Sequence, residues 1–260
     1  MSTTSIVIDS VHLRVSNLAR SLDFYTRQLG FVVTARTHDG ATLGTDEKMA
    51  PLLQLTQTPG AARAEPGSAG LFHAAVLLPS RAALGAWLQY AIAAKVEFEG
   101  FADHGVSEAI YLSDPDGNGL EFYADRPRAA WPRRNGELQM MTAPLNLQNL
   151  LAAATPAAPA PLSGATWGHL HLRVSDLDRA QAFYSSTLGL ELTQRFGASA
   201  RFLSADGYHH HLGINTWGAI SKPQDQAAAG LIDASVRAKT VTTPNTVRDP
   251  DGITFHIKPR

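Results

Sequence analysis

The sequence predicts an α+β fold of tandem βαβββ units, and an internal repeat is the main reason. Residues 11–36 and 170–195 are identical at 13 of 26 positions, with a constant offset of 159. GLFHAAV at 70–76 matches GLIDASV at 230–236, and DPDG at 114–117 recurs at 249–252. Because the three similarities occur in the same order, the chain is interpreted as two copies of one domain.

The beginning of each repeat has the pattern of a strand followed by a helix. Val11, Leu13 and Val15 alternate with polar residues, as in a half-buried strand. Asn17 is expected to cap the N-terminus of the following helix, and Gly30 is expected to end it. A second unit is predicted from residue 70, with a helix at about 80–94 and strands near 109–112 and 119–123.

The second repeat departs from the first near its end. Only 12 residues separate Val236 from Asp249, whereas 37 separate Val76 from Asp114, so the last unit is predicted to lack its helix. We therefore predict a first domain over residues 6–127, a linker with a short helix over 128–166, and a second domain over 167–260. Alanine and proline dominate residues 152–166 and cannot build a core.

Composition narrows the classes of function. The 22 basic and 23 acidic residues are scattered, which indicates neither a nucleic-acid site nor an anionic membrane site. The absence of cysteine excludes disulfides and thiolate ligands, so any metal would be held by histidine, carboxylate or water. No secretory or membrane-spanning pattern is present, so a cytoplasmic protein with a small-molecule partner is expected. The sequence leaves a homo-oligomer open.

Three residues of the first repeat form a candidate metal site. His12 and His73 take matching places in the first strands of two units, and Glu121 lies in the last strand. Two histidines and a carboxylate leave three coordination positions open on a divalent metal, which suits dioxygen chemistry. A single histidine in a strand is more often a packing or surface residue. The prediction therefore rests on the matching positions of His12 and His73 in the two units.

The most specific segment of the chain is ADHGVSEAIYLSDPDGNGLEFY at 102–123. Its His104, Tyr111, DPDG and Glu121 resemble the signature of type I extradiol ring-cleavage dioxygenases, with Ala102 as the one departure. The 61 residues from His12 to His73 and the 48 from His73 to Glu121 also resemble that family's ligand spacing. Nearly the whole chain resembles the two-domain bacterial catechol-2,3-dioxygenases of the vicinal oxygen chelate superfamily.

The resemblance implies two duplicated vicinal oxygen chelate domains whose sheets curl into open cups. It further implies cleavage of catechol or a substituted catechol by O2, with Fe(2+) at His12, His73 and Glu121 and Mn(2+) as the second choice. His104 is expected to act as acid and base, since the usual pKa of histidine is near neutral, and Tyr111 to donate a hydrogen bond. A further family histidine is missing near Thr58.

The second repeat offers a weaker second metal site. Its candidates are His171, Asp233 and His256, with His210 from the run His209–His211. That run is expected to lie in a strand, where alternate residues face opposite ways. The shortened last unit is expected to leave this cup open to water. DPDG is interpreted in both repeats as a tight turn, with Gly117 supplying a positive φ.

Two other functions are compatible with the sequence. A metal-dependent isomerase or lyase of the glyoxalase type uses the same fold, and Gln54 would be its additional ligand. A metal-free small-molecule binding protein of the bleomycin-resistance type would use the fold as a ligand cup. The fold alone does not separate these functions, because function resides in the site.

Overall fold

The computed structural model describes residues 5–46, 51–154, 160–239 and 241–260. The α-helices are α1 (Leu18–Asp23), α2 (Arg81–Ala93), α3 (Leu147–Ala152) and α4 (Leu177–Leu188). A π-helical segment (Phe24–Gln28) continues α1, and a 3-10 turn covers Arg128–Ala130. Within these ranges, no helix combines the length and apolar character needed to cross a membrane.

Eighteen strands make up the sheets of the described chain. In chain order they are β1 (Ile6–Val15), β2 (Val32–Arg36), β3 (Gly40–Gly44), β4 (Leu53–Gln57), β5 (Gly70–Leu77), β6 (Gly100–Asp103), β7 (Ser107–Ser113), β8 (Gly119–Asp125), β9 (Arg133–Arg134), β10 (Glu137–Leu138), β11 (Ala143–Pro144), β12 (Thr166–Arg173), β13 (Glu191–Phe196), β14 (Ala200–Ser204), β15 (Leu212–Asn215), β16 (Gly230–Ala238), β17 (Asn245–Arg248) and β18 (Thr254–Pro259).

Two large sheets have the same internal order. The first sheet runs β17-β18-β16-β1-β4-β3-β2. The second runs β11-β6-β7-β8-β5-β12-β15-β14-β13. Its last seven strands in this order, which begin with β7, are equivalent one by one to the seven strands of the first sheet, which begin with β17. A small ribbon pairs β9 with β10. The α+β fold of duplicated βαβββ units is confirmed.

Each large sheet combines strands from both repeats. At the centre of the second sheet, β5 of the first repeat pairs antiparallel with β12 of the second repeat. In the first sheet, β1 of the first repeat pairs antiparallel with β16 of the second repeat. The expectation that the first repeat would form a cup of its own is therefore corrected. Because the two repeats have equivalent strands, a unit buries the same apolar face against either partner, and the sequence pattern cannot tell them apart.

The helix boundaries agree with the sequence signals. The side chain of Asn17 accepts from the Arg20 amide at the start of α1, and Gly30 follows the helix with a φ of 88°. Ser80 caps α2, whose Trp87 ring stacks on Phe122 of β8 at 3.8 Å between ring centroids. None of the described residues between β16 and β17 is helical, as predicted for the shortened last unit.

In each repeat, a buried hydrogen bond joins a tyrosine of the first unit to the DPDG turn of the second unit. In the first repeat, the Tyr25 hydroxyl donates to Asp114 at 3.0 Å, and in the second Tyr184 donates to Asp249 at 2.7 Å. Gly117 has a φ of 86°, as the tight-turn interpretation requires. Burial raises the pKa of the Tyr184 hydroxyl well above its usual value, so it stays a proton donor. The repeated FY and DPDG motifs are thereby explained as structural.

Replacing Tyr184 with phenylalanine should lower the free energy of unfolding by about 1–3 kcal/mol, because the buried Asp249 carboxyl loses a donor. Urea denaturation of the purified variant measures this loss. Tyr90→Phe is the control, because the hydroxyl of Tyr90 donates to the carbonyl of Arg27 at an exposed place where water can replace it. Equal losses in the two variants would contradict a role for the buried bond.

Candidate metal centre and its cavity

Three strands of the second sheet bring two histidines and a carboxylate together. His73 lies on β5, Glu121 on the neighbouring β8, and His169 on β12. In the register of the sheet, Ala75 lies between Glu121 on one side and His169 on the other. The fully buried methyl group of Ala75 leaves space above the sheet for the two longer side chains.

The donor atoms of this cluster converge within 4.8 Å of one another. Glu121 Oε2 lies 3.0 Å from His73 Nε2 and 3.2 Å from His169 Nε2. All three side chains are buried, yet His73 Nε2 has no hydrogen-bond partner among the described residues. A buried nitrogen that lies beside a carboxylate without the alignment of a hydrogen bond fits a metal ligand.

The protonation states also suit metal binding. Burial alone would raise the pKa of Glu121, but interactions with His169 and His73 outweigh burial and hold it well below its usual value. Burial lowers the pKa of His169 to about 4. At neutral pH the cluster therefore presents an ionised carboxylate and a neutral His169 imidazole, the forms in which these groups bind metals.

The structure places His12 in the other sheet. Its Nδ1 lies 3.0 Å from Asp233 Oδ2 on β16, and its Nε2 lies 2.8 Å from the Thr56 hydroxyl. The expected set of His12, His73 and Glu121 is therefore corrected: β5 is paired with β12 of the other repeat and not with β1. His169 takes the third place, and its counterpart in the first repeat is Ser10.

The proposed second site is likewise divided between the sheets. His171 and His210 line the cavity beside the first cluster, whereas His256 on β18 approaches Asp233 on β16, with 3.7 Å between the nearest nitrogen and oxygen. The four residues are thus not neighbours. This correction has the same cause, because the two units of the second repeat belong to different sheets.

The histidine run lies in an irregular segment between β14 and β15, which corrects its predicted strand. His209 Nε2 lies 2.9 Å from Asp125 Oδ1, and His211 Nδ1 lies 2.9 Å from the Ser204 hydroxyl. The ring of His210 packs on that of His169, with 4.0 Å between centroids. His209 Nδ1 also lies 2.7 Å from His210 Nδ1, so these two histidines are linked beside His169, whereas His211 is bonded elsewhere.

His104 and Tyr111 form a hydrogen-bonded pair at the cavity. His104 Nδ1 lies 2.7 Å from the Met141 carbonyl oxygen, which can only accept, so Nδ1 carries a proton. In neutral His104 the Nε2 atom then accepts from the Tyr111 hydroxyl at 2.7 Å. The Tyr111 ring lies 5.6 Å from that of His73, between centroids, so the pair adjoins the candidate metal site.

Burial and the nearby Glu121 charge raise the pKa of Tyr111 well above its usual value. The hydroxyl therefore keeps its proton at neutral pH and acts as a donor. Both residues line the same cavity as His73 and Glu121, and their roles are proposals.

A cavity of about 370 Å³ opens above the cluster. This size lies within the range of small-molecule sites. Its aromatic walls come from both repeats, and the segment of residues 140–142 closes one side; the aromatic lining residues are Phe72, Tyr111, Phe196, Phe202 and Trp217. The cavity suits a planar ring compound. Gln54 pairs with His12 and Thr42 in the other sheet, so it does not contribute to this site.

The curled sheets of paired βαβββ units, with two histidines and one carboxylate on a shared face, define a vicinal oxygen chelate protein. Residues 7–122 and 166–232 match the family model of the glyoxalase/bleomycin resistance protein/dioxygenase superfamily. A catechol-2,3-dioxygenase of Bacillus subtilis is 45% identical over 224 residues, which cover 84% of this chain and 78% of that protein. The chain belongs to this superfamily.

Solved structures share the fold over the whole chain. A Bacillus subtilis protein described as a dioxygenase superposes with a TM-score of 0.65 at 14% identity, covering 99% of this chain and 86% of its own. Glyoxalase I from Zea mays gives a TM-score of 0.58 at 16% identity, with coverages of 98% and 92%. At such identities these similarities concern the fold, and the site must decide the reaction.

Proposed function

We propose that the protein is an extradiol dioxygenase that opens the ring of catechol or a substituted catechol with O2. The observation that carries the proposal is the cluster of His73, Glu121 and His169 beneath a cavity with aromatic walls. Ferrous iron is the metal we propose, with manganese as the second choice. The similarity to the Bacillus subtilis catechol-2,3-dioxygenase supports this reaction over others of the superfamily.

The donor set fits such a metal. Two imidazole nitrogens and one carboxylate oxygen suit iron and manganese and leave three positions of an octahedral metal for other ligands. When bound, the metal would acidify the two catechol hydroxyls and provide a redox-active centre for O2. We propose that His12 is not a ligand, because its two ring nitrogens are engaged by Asp233 and Thr56 in the other sheet.

The protein's own groups would manage the protons. A catechol that binds through both oxygens gives up its hydroxyl protons, and these need acceptors within the site. His104 Nε2 can accept a proton that passes through the Tyr111 hydroxyl, since its Nδ1 proton is held by the Met141 carbonyl. The protonated imidazole can later return this proton to an oxygen of the opening ring. Such acid and base catalysis typically contributes a factor of about 10²–10⁴.

The cavity walls would orient the ring and exclude water. His171 Nε2 is buried without a hydrogen-bond partner among the described residues. Burial holds the pKa of His171 well below its usual value, so the ring is neutral and adds no positive charge beside the metal. Phe72 lies 5.2 Å from both His171 and Trp217, between ring centroids, and forms an apolar wall.

The glyoxalase-type alternative loses the residue that supported it. Gln54 would have been its extra ligand, but this residue lies in the first sheet, away from His73 and Glu121. The remaining donor set has a single carboxylate, as in the facial triad of ferrous oxygenases.

The decisive experiment is oxygen uptake by the anaerobically iron-loaded protein after addition of catechol. We expect about one O2 consumed per catechol and a yellow ring-opened product followed by absorbance. Removal of the metal with a chelator should abolish both signals, and ferrous iron should restore them. A single tightly held metal with no oxygen uptake would favour an isomerase or lyase, and a protein that binds no metal would favour a binding function.

A further inference from the structure

An arginine lies in the cavity wall without an acidic partner among the residues that the structure describes. Arg173, at the end of β12, is partly buried and lines the cavity beside Phe72 and Trp217. Its guanidinium carbon lies 4.9 Å from the centroid of the Phe72 ring. One hydrogen bond is made by its side chain, from Nη1 to the Leu71 carbonyl oxygen at 2.6 Å.

Three other buried or partly buried arginines of the described chain are paired with acids, whereas Arg14, like Arg173, donates to a backbone carbonyl. Arg81 bonds Glu108, Arg126 bonds Asp103 and Glu108, and Arg201 bonds Asp178. No described carboxylate lies within 4 Å of the Arg173 guanidinium. A partly desolvated cation normally has such a partner, since burial of an unpaired charge is costly.

The position of Arg173 relative to the metal cluster suits recognition of a ring substituent. Arg173 follows His171 by two residues on one strand, so the two side chains share the cavity face and their Cα atoms are about 7 Å apart. His171 lies opposite His73 in the sheet. A ring anchored at the cluster could thus extend toward the guanidinium, along the Phe72 wall.

We propose that Arg173 pairs with a carboxylate on the substrate, so that the preferred substrates are catechols with an acidic side group. This inference rests on the proposed ring-cleaving function, of which it names the substrate class. The planar guanidinium offers further N–H donors in the geometry that a carboxylate accepts, and Phe72 covers its face. Glu99, the other acidic lining residue besides Glu121, is exposed and makes no ion pair with Arg173.

The chain provides a matched control. Arg14 is the counterpart of Arg173 in the first repeat, and its Nη1 also donates to a backbone carbonyl, that of Ala228, at 3.2 Å. It lies in the other sheet, away from the cavity. A general effect of losing a strand-end arginine should therefore appear in Arg14→Gln as well, whereas substrate recognition should not.

The test compares the iron-loaded wild type, Arg173→Gln, Arg173→Lys and Arg14→Gln on catechol, 3,4-dihydroxybenzoate and its neutral amide. We expect the wild type and Arg14→Gln to prefer the acid over the amide by about tenfold or more in kcat/KM. Arg173→Gln should lose this preference, and Arg173→Lys should retain part of it. Ring cleavage without a preference for the acid, or a preference that survives in Arg173→Gln, would overturn the inference and leave the proposed function intact.

A binding measurement separates the two proposals if no ring is cleaved. Calorimetric titration of the metal-free wild type with 3,4-dihydroxybenzoate should give a dissociation constant at least about tenfold lower than for Arg173→Gln. That result would support the anion site even if the proposed reaction failed. Equal affinities for the two proteins would refute it.

Discussion

Replacing His169 with alanine is expected to lower the affinity for ferrous iron by more than about 100-fold and to abolish oxygen uptake with catechol. The reason is geometric, because His169 Nε2 and His73 Nε2 both lie within 3.2 Å of the same oxygen of Glu121. Metal content after anaerobic loading, measured per chain, is the direct readout. His73→Ala should behave in the same way.

His12→Ala is the matched control for this prediction. It removes a strand histidine from the equivalent sheet, where the side chain bonds Asp233 and Thr56. The variant should bind one metal per chain and keep its activity, and so should His256→Ala. If His12→Ala lost the metal while His169→Ala kept it, the assignment of ligands made from the structure would be wrong.

The second large effect is expected for His104→Phe, which should lower kcat by about 10²–10⁴ without changing the metal content. The substitution keeps an aromatic ring but removes the Nε2 atom that accepts from Tyr111 and the Nδ1 proton held by Met141. Steady-state oxygen uptake at saturating catechol gives kcat, and metal analysis of the same sample tests the loading.

His38→Phe serves as the control for histidine loss, since His38 is exposed on the turn between β2 and β3. It should retain the activity of the wild type. Loss of the metal in His104→Phe would instead assign His104 to support of the metal cluster, and an unchanged kcat would remove it from the reaction.

Much of the fold follows from local signals that the structure reproduces. The 159-residue offset predicts the duplication, Asn17 and Ser80 begin the helices, and the short interval from Val236 to Asp249 predicts the missing helix. These features depend on neighbouring residues or on direct comparison of the repeats. They are insensitive to which sheet a strand joins.

The identity of the third candidate ligand depends on strand pairing, which local patterns do not determine. His12 and His171 occupy equivalent positions in the two repeats, yet the cluster contains His169, which lies two residues earlier on β12. The usable signal was a difference between the copies, because Ser10 occupies the place of His169 in the first repeat. The proposed ligand histidine therefore occurs only in the copy that faces His73 and Glu121.

Because the chain is synthesised from its N-terminus, the three residues of this shared site do not become available at the same time. His73 and Glu121 leave the ribosome on the first repeat, but His169 follows 48 residues after Glu121, beyond the connecting segment. Until β12 has emerged and paired with β5, a nascent chain holds two of the three donors and should bind metal weakly. Metal uptake is thus expected to follow the joining of the repeats, so an early fragment of the protein would not sequester iron.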